Sequence, residues 1–113
     1  MKKSKAMEKV FPALAPSAKF SAEVGKLGEN CVTACTAVGK KCHAEWSERL
    51  NLCRELEKAN SCLNGCSDNF FGSDLPAFNT QRDECLINNN PSGVPFSCEA
   101  SYGFSRRLCP CGA

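Results

Sequence analysis

Between Ala44 and Ala59 the apolar residues Trp46, Leu50, Cys53 and Leu56 recur at intervals of four, three and three. That is the stripe of an amphipathic α-helix. Glu45, Glu48, Glu55 and Glu57 read as its solvated side, with Glu45 and Arg49 an i,i+4 pair. Asn60 is placed to end this helix in a left-handed conformation. A shorter helix is predicted from Cys31 to about Val38, because Asn30 can cap its first turn and Gly39 suits the position past its end. A spacing of four sets Cys31 and Cys35 on one helix face. Neighbours on one helix seldom bridge each other, so both are expected to reach other segments. Asn64-Gly65, inside CLNGC, marks a tight turn.

Beyond the turn the helical period is lost. Residues 67–82, SDNFFGSDLPAFNTQR, contain Gly72 and Pro76 and read as a loop. Its Phe70, Phe71 and Phe78 either plug a small core or stay exposed for a partner. Short strand-like stretches follow at Glu84–Asn88, Phe96–Ala100 and Arg106–Cys109, separated by NNNPSG and by residues 101–105. The expected fold is small, disulfide-rich α+β: two helices followed by a short antiparallel sheet. Residues 1–30 show no usable period. They are read as an extended N-terminal docking arm whose Val10, Phe11, Leu14 and Phe20 bind a partner, and residues 31–113 as a cysteine-rich module.

Composition sharpens this picture. Ten cysteines (31, 35, 42, 53, 62, 66, 85, 98, 109 and 111) stand among 113 residues, all after position 30. An even number at this density signals a disulfide scaffold in an oxidising compartment. A chain this short buries little core, and each bridge adds roughly 2–4 kcal/mol by restricting the unfolded state. Cys109-Pro110-Cys111 has poor spacing for chelation or redox work. In an extended segment both sulfurs face one way, and they are expected to reach two different elements. The chain carries C-x3-C twice and no C-x2-C, which argues against a zinc site and against a redox pair. The twin C-x3-C units are similar to those of small mitochondrial intermembrane-space chaperones, but here six more cysteines surround them. One histidine, His43, supports no catalytic triad and reads as a solvated side chain. No catalytic residue and no metal ligand is assigned, and the chain is expected to be non-enzymatic.

The net charge of +2 is unevenly spread. Residues 1–30 hold six lysines, among them Lys2, Lys3 and Lys5, against Glu8, Glu23 and Glu29, while residues 31–113 hold eight basic and nine acidic residues. Lys40-Lys41 and Arg106-Arg107 are short pairs in a neutral body and read as solvated or as local partners of carboxylates. They give no nucleic-acid surface. No run approaches the roughly 18–20 apolar residues of a membrane span. MKKSKAMEKVFPALAPSA has a basic flank but a short apolar stretch broken by Pro12, so it reads as the tail of a mature protein. Asn90-Pro91-Ser92 is blocked as a glycosylation sequon by its proline.

The order CVTAC, GKKC, Leu50-Asn51, Cys62, LPAF, Cys85, Cys98 and RRLCPC resembles the cysteine-rich module that ends N-acetylglucosaminyltransferase V-type enzymes, and related algal and plant proteins. The resemblance covers residues 31–111. It implies a disulfide-stapled unit, with the catalytic part of such an enzyme lying outside it. Cys53 and Cys66 are additional to the eight cysteines of that pattern, so they most simply pair with each other. The other eight leave 105 connectivities open.

A second, shorter likeness is carried by KKSKAM, Phe11, Ala15-Pro16 and Ala22-Glu23-Val24-Gly25, which is similar to the mature start of light-harvesting proteins of red-lineage algae. It implies an accessory or linker subunit of a thylakoid photosystem–antenna complex in a plastid, on an unresolved side of the membrane. Its partners would be photosystem core or antenna proteins, and chlorophyll or carotenoid contact would arise only at the partner interface. The other reading is a secreted or secretory-lumen module that binds glycans or glycoproteins.

Overall fold

The computed structural model describes residues 20–113. Lys2, Lys3, Lys5, Val10, Phe11 and Leu14 lie outside the described residues. Six strands form one mixed sheet: β1 (Ser21–Val24), β2 (Lys41–Cys42), β3 (Cys66–Phe70), β4 (Ala77–Asn79), β5 (Glu84–Asn88) and β6 (Ser105–Gly112). Their order is β1-β6-β4-β5-β3, with β2 also on β6. Ser21–Val24, within the stretch read as an arm, thus pair with Leu108–Cys111 in the sheet. All pairings are antiparallel except β3 with β5, which is parallel. The sheet outweighs the helices, so two helices followed by an antiparallel sheet needs correcting to a mixed sheet with short helices around it.

Helix α1 (Cys31–Thr36) is built as its sequence suggests. Asn30 Oδ1 accepts from Thr33 N at 2.8 Å, satisfying an orphan donor of the first turn, and Gly39 takes φ +73° past the end. The long helix expected over Ala44–Ala59 is two pieces: a 3-10 helix, Ala44–Arg49, and α2, Cys53–Ala59. Asn51 breaks it. Its side-chain amide donates to Asn88 O (2.9 Å) and its Oδ1 accepts from Asn88 N (2.7 Å), so residue 51 imitates a strand neighbour of β5. In a 3-10 turn, residues three apart are the ones that eclipse. Glu45 and Arg49, four apart, therefore do not pair: Glu45 bonds to His43 and Arg49 stands over the ring of Phe20. Asn60 is extended rather than left-handed, and Cys62 takes the positive φ instead, at 45°.

Half of the expected 67–82 loop is strand. β3 is an edge strand with an irregular register and no burial alternation, so SDN carries no period-two signal. Phe96–Ala100, expected to be a strand, is instead a loop packed over the sheet.

Alternation along β6 divides the core. Arg107, Cys109 and Cys111 face α1 on one side, with Ala77 and Leu86 in register on neighbouring strands. Leu108 faces the other side with Leu50, Leu56, Phe78 and Cys85. Gly112 lies on that second side, where a Cβ would collide with the Trp46 ring.

All ten cysteines are bridged: 31–109, 35–111, 42–98, 53–66 and 62–85. The sulfurs of Cys109 and Cys111 were expected to reach two different elements. Both enter α1, because the C-x3-C face of one helix matches both. Pro110 between them has no N–H to give, and its carbonyl accepts from His43 N at 2.9 Å.

Arg107 was read as solvated or carboxylate-paired, yet it is fully buried. Its Nε donates to Asp74 O (2.9 Å), its Nη2 to Ser73 O (3.1 Å), and its Nη1 to the carbonyls of Cys98 and Ala100. Phe96 covers the guanidinium at 4.6 Å. Burial lowers its pKa to about 10, against the opposing pull of Asp74 and Glu99, so it remains charged at neutral pH. Arg107→Met removes a donor from four backbone carbonyls. Ser73 O still accepts from Ser97 N and Cys98 O from Cys31 N, but those of Asp74 and Ala100 lose the donor Arg107 gives them. The change is expected to cost about 3 kcal/mol in denaturation of the oxidised protein. Arg106→Met, at the exposed neighbour, is expected to stay within about 0.5 kcal/mol.

Candidate functional site

The face of the sheet that buries Arg107 continues, below it, into a groove of about 310 Å³. Leu86, Asn79 and Ser105 form its floor. Phe70, Phe71, Asp74 and Leu75 stand on one side, and Tyr102 on the other. The arrangement follows from local sequence. Phe70 ends β3, so Phe71 leaves the ladder and stays 64 % exposed. Across the groove, Thr80 N and Oγ1 both donate to Phe104 O at 2.8 Å, and Ser105 N donates to Tyr102 O, which holds Tyr102 up as a wall. Tyr102 and Phe104 pack edge to face with ring centroids 5.7 Å apart.

Polar groups are set between these walls. Arg82 lies over the Phe70 ring at 4.7 Å, its Nε donating to Glu84 Oε1 at 3.2 Å and its backbone N to Asn79 Oδ1 at 2.9 Å. Gln81 and the Asp74 carboxylate complete the lining. Arg107 ties together the segments that lead into the two walls, since the carbonyls it holds belong to residues 73–74 and 98–100.

A larger cleft, about 590 Å³, lies along the Cys42–Cys98 bridge between Lys40, Lys41, Glu45 and Glu99. Several of its polar groups are engaged within the protein. Lys40 Nζ donates to Ser21 Oγ (2.9 Å), Glu45 pairs with His43, and Ser97 Oγ donates to Glu99 Oε1 (3.2 Å). Glu45 is held below the usual carboxylate range by a backbone hydrogen bond and by His43. The smaller groove is the better candidate because it sets exposed aromatic faces beside the Asp74 and Gln81 side chains.

The residues singled out as partner-binding divide accordingly. Phe70 and Phe71 line the groove. Phe78 packs into the core beneath the other face, and Phe20 meets Trp46 edge to face at 5.7 Å within the chain. Tyr102, Gln81, Arg82 and Asp74 were missed. They sit in turns without a motif, and only the fold brings them opposite Phe71. His43 stacks on Trp46 at 4.1 Å. Among the described residues no cluster of His, Cys, Asp and Glu is placed to hold a metal, and no helix is long and apolar enough to cross a membrane.

A family model, glycosyltransferase family 18, matches residues 3–111. No curated protein matches the chain. The family match overturns two expectations. A family of glycosyltransferases points to an enzyme, so the expectation of a non-enzymatic chain is corrected. The photosynthetic setting, with its thylakoid, plastid and photosystem partners, is corrected as well. Most of the basic start that suggested it lies inside the matched region, and nothing else supports it. Phe71→Ala, which removes an exposed ring, is expected to change unfolding stability by no more than about 0.5 kcal/mol, and Tyr102→Ala, which also loses its edge-to-face contact with Phe104, by about 1 kcal/mol, both measured by thermal denaturation. They can then be used as clean probes of the groove.

Proposed function

The chain belongs to glycosyltransferase family 18, and from that premise we propose that it serves glycosyl transfer to glycoproteins in an oxidising secretory lumen, its Phe71–Tyr102 groove seating a saccharide. The observation that carries this reading is the pairing of two exposed aromatic walls with Asp74, Gln81 and Arg82 between them. A pyranose presents C–H groups on one face, and their positive edge suits the negative face of an aromatic ring. Its hydroxyls both donate and accept, as do the groups here. Asp74 accepts, Arg82 donates, and the Gln81 amide does either. Five bridges support the compartment, since such bonds persist where thiols are oxidised.

The test is a glycan array probed with the oxidised full chain. Saturable binding to a subset of glycans is expected, weakened about tenfold or more by Phe71→Ala or Tyr102→Ala, which is about 1.4 kcal/mol of contact energy. The same array supplied with nucleotide-sugar donors reports transfer as a mass gain on the acceptor. Binding that is absent, or indifferent to both substitutions, removes the groove from the proposal.

A further inference from the structure

Three Asn-x-Cys triplets occur in this chain: Asn51-Leu52-Cys53, Asn60-Ser61-Cys62 and Asn64-Gly65-Cys66. A hydroxyl two residues after an asparagine makes the acceptor triplet for N-linked glycosylation, and a thiol can take its place as a weaker hydrogen-bonding partner of the amide. A sugar is retained in secreted protein only where the folded chain has room for it, and there the three sites differ. Asn51 is locked by both side-chain polar atoms to the backbone of Asn88 in β5. Asn60 is half-buried, its amide turned back on Leu56 O, and Cys62 is 7 % exposed. Asn64 stands exposed at the tip of the turn. Leu63 beside it is 75 % exposed, and nothing lies within 4 Å of a Cβ built on Gly65. The Asn64 amide donates one N–H to Arg82 O at 2.7 Å. An amide has two such hydrogens, so a sugar can replace one while the other keeps that bond.

We propose that Asn64 is an N-glycosylation site, one whose use competes with closure of the Cys53–Cys66 bridge. This rests on the secretory-lumen part of the reading above. In the transfer step the Asn64 side-chain nitrogen attacks the anomeric carbon of a lipid-diphosphate-linked oligosaccharide, under the cell's oligosaccharyltransferase. A C–N bond forms, and the C–O bond to the diphosphate breaks with its electron pair leaving on the diphosphate. The amide gives up one proton, which balances the added negative charge on the departing diphosphate and is taken up by it or by the surrounding water. The triplet needs Cys66 as a thiol, and in the folded protein that sulfur is bonded to Cys53. Glycosylation therefore precedes bridge closure, and a chain that closes the bridge first stays unmodified at Asn64. Partial occupancy follows.

The full chain is expressed behind a secretory leader in eukaryotic cells, so that entry to the lumen is imposed, and the secreted protein is mapped by mass spectrometry before and after enzymatic removal of N-glycans. Expected is a fraction modified at Asn64 and none at Asn51 or Asn60. Asn64→Gln and Cys66→Ala abolish the modification, while Cys53→Ala raises it severalfold. The two cysteine substitutions break the same bridge, and only one removes the thiol of the triplet. An Asn64 left unmodified in both the wild type and Cys53→Ala overturns the proposal, as does an equal response of the two cysteine variants. Either result leaves saccharide binding by the groove standing, since the array decides that separately.

Discussion

Four residues of a helix climb about 6 Å and two residues of a strand about 6.6 Å. Cys31 and Cys35 can therefore meet Cys109 and Cys111 rung for rung when helix and strand run the same way. In this protein they do, with Cα–Cα distances of 5.4 and 5.3 Å across the two bridges. The bridges span 78 and 76 residues, and closing a loop of that size restricts the unfolded chain by about 4.5 kcal/mol. The second rung adds much less loop-closure entropy than the first, because the first has already brought its ends together. Its contribution is orientation. Two rungs fix the direction of α1 on the sheet where one would leave a pivot. β1, β2 and β4 all pair with β6, so the register of most of the sheet inherits that placement.

Arg107 lies on the same face of the same strand and does for the loops what the bridges do for the helix. Segments 73–74 and 98–100 are not part of the sheet; Ser97 N reaches Ser73 O and Cys31 N reaches Cys98 O, while the carbonyls of Asp74 and Ala100 accept from Arg107. One planar, five-donor guanidinium reaches all four carbonyls from a single point. Burying that charge lowers its pKa, so the charge in itself is unfavourable to folding, and the hydrogen bonds and the Phe96 ring offset it. Those two segments lead into the two walls of the aromatic groove, so a buried residue outside the groove braces the chain on both sides of it.

The elements legible in the sequence are those whose signal is local. Asn30 as a cap, Gly39 past a helix end, the Asn64-Gly65 turn and strand Glu84–Asn88 each depend on neighbours within a few positions. Apart from Asn60 at a helix end, the failures involve a distant partner. The apolar stripe from Trp46 to Leu56 is real, since Leu50 and Leu56 are buried, but Asn51 bonds to a strand 37 residues away and breaks the helix. β3 is polar and irregular, and it is a strand only because β5 lies beside it. Gln81, Arg82 and Tyr102 carry no motif, so their convergence on Phe71 is invisible until the sheet is assembled.

From the sequence alone came the scale of the protein, its disulfide scaffold, the oxidising compartment and the likeness to one class of glycosyltransferase. These follow from counts and spacings, which survive any arrangement of the chain in space. The tertiary structure decided which sulfurs meet, which arginine is buried and which aromatic residues face a groove. Each of those depends on side chains tens of residues apart reaching a common point. CPC shows the division: its spacing alone set both sulfurs on one face, and only the fold showed that a single helix, with the complementary rise, receives them both.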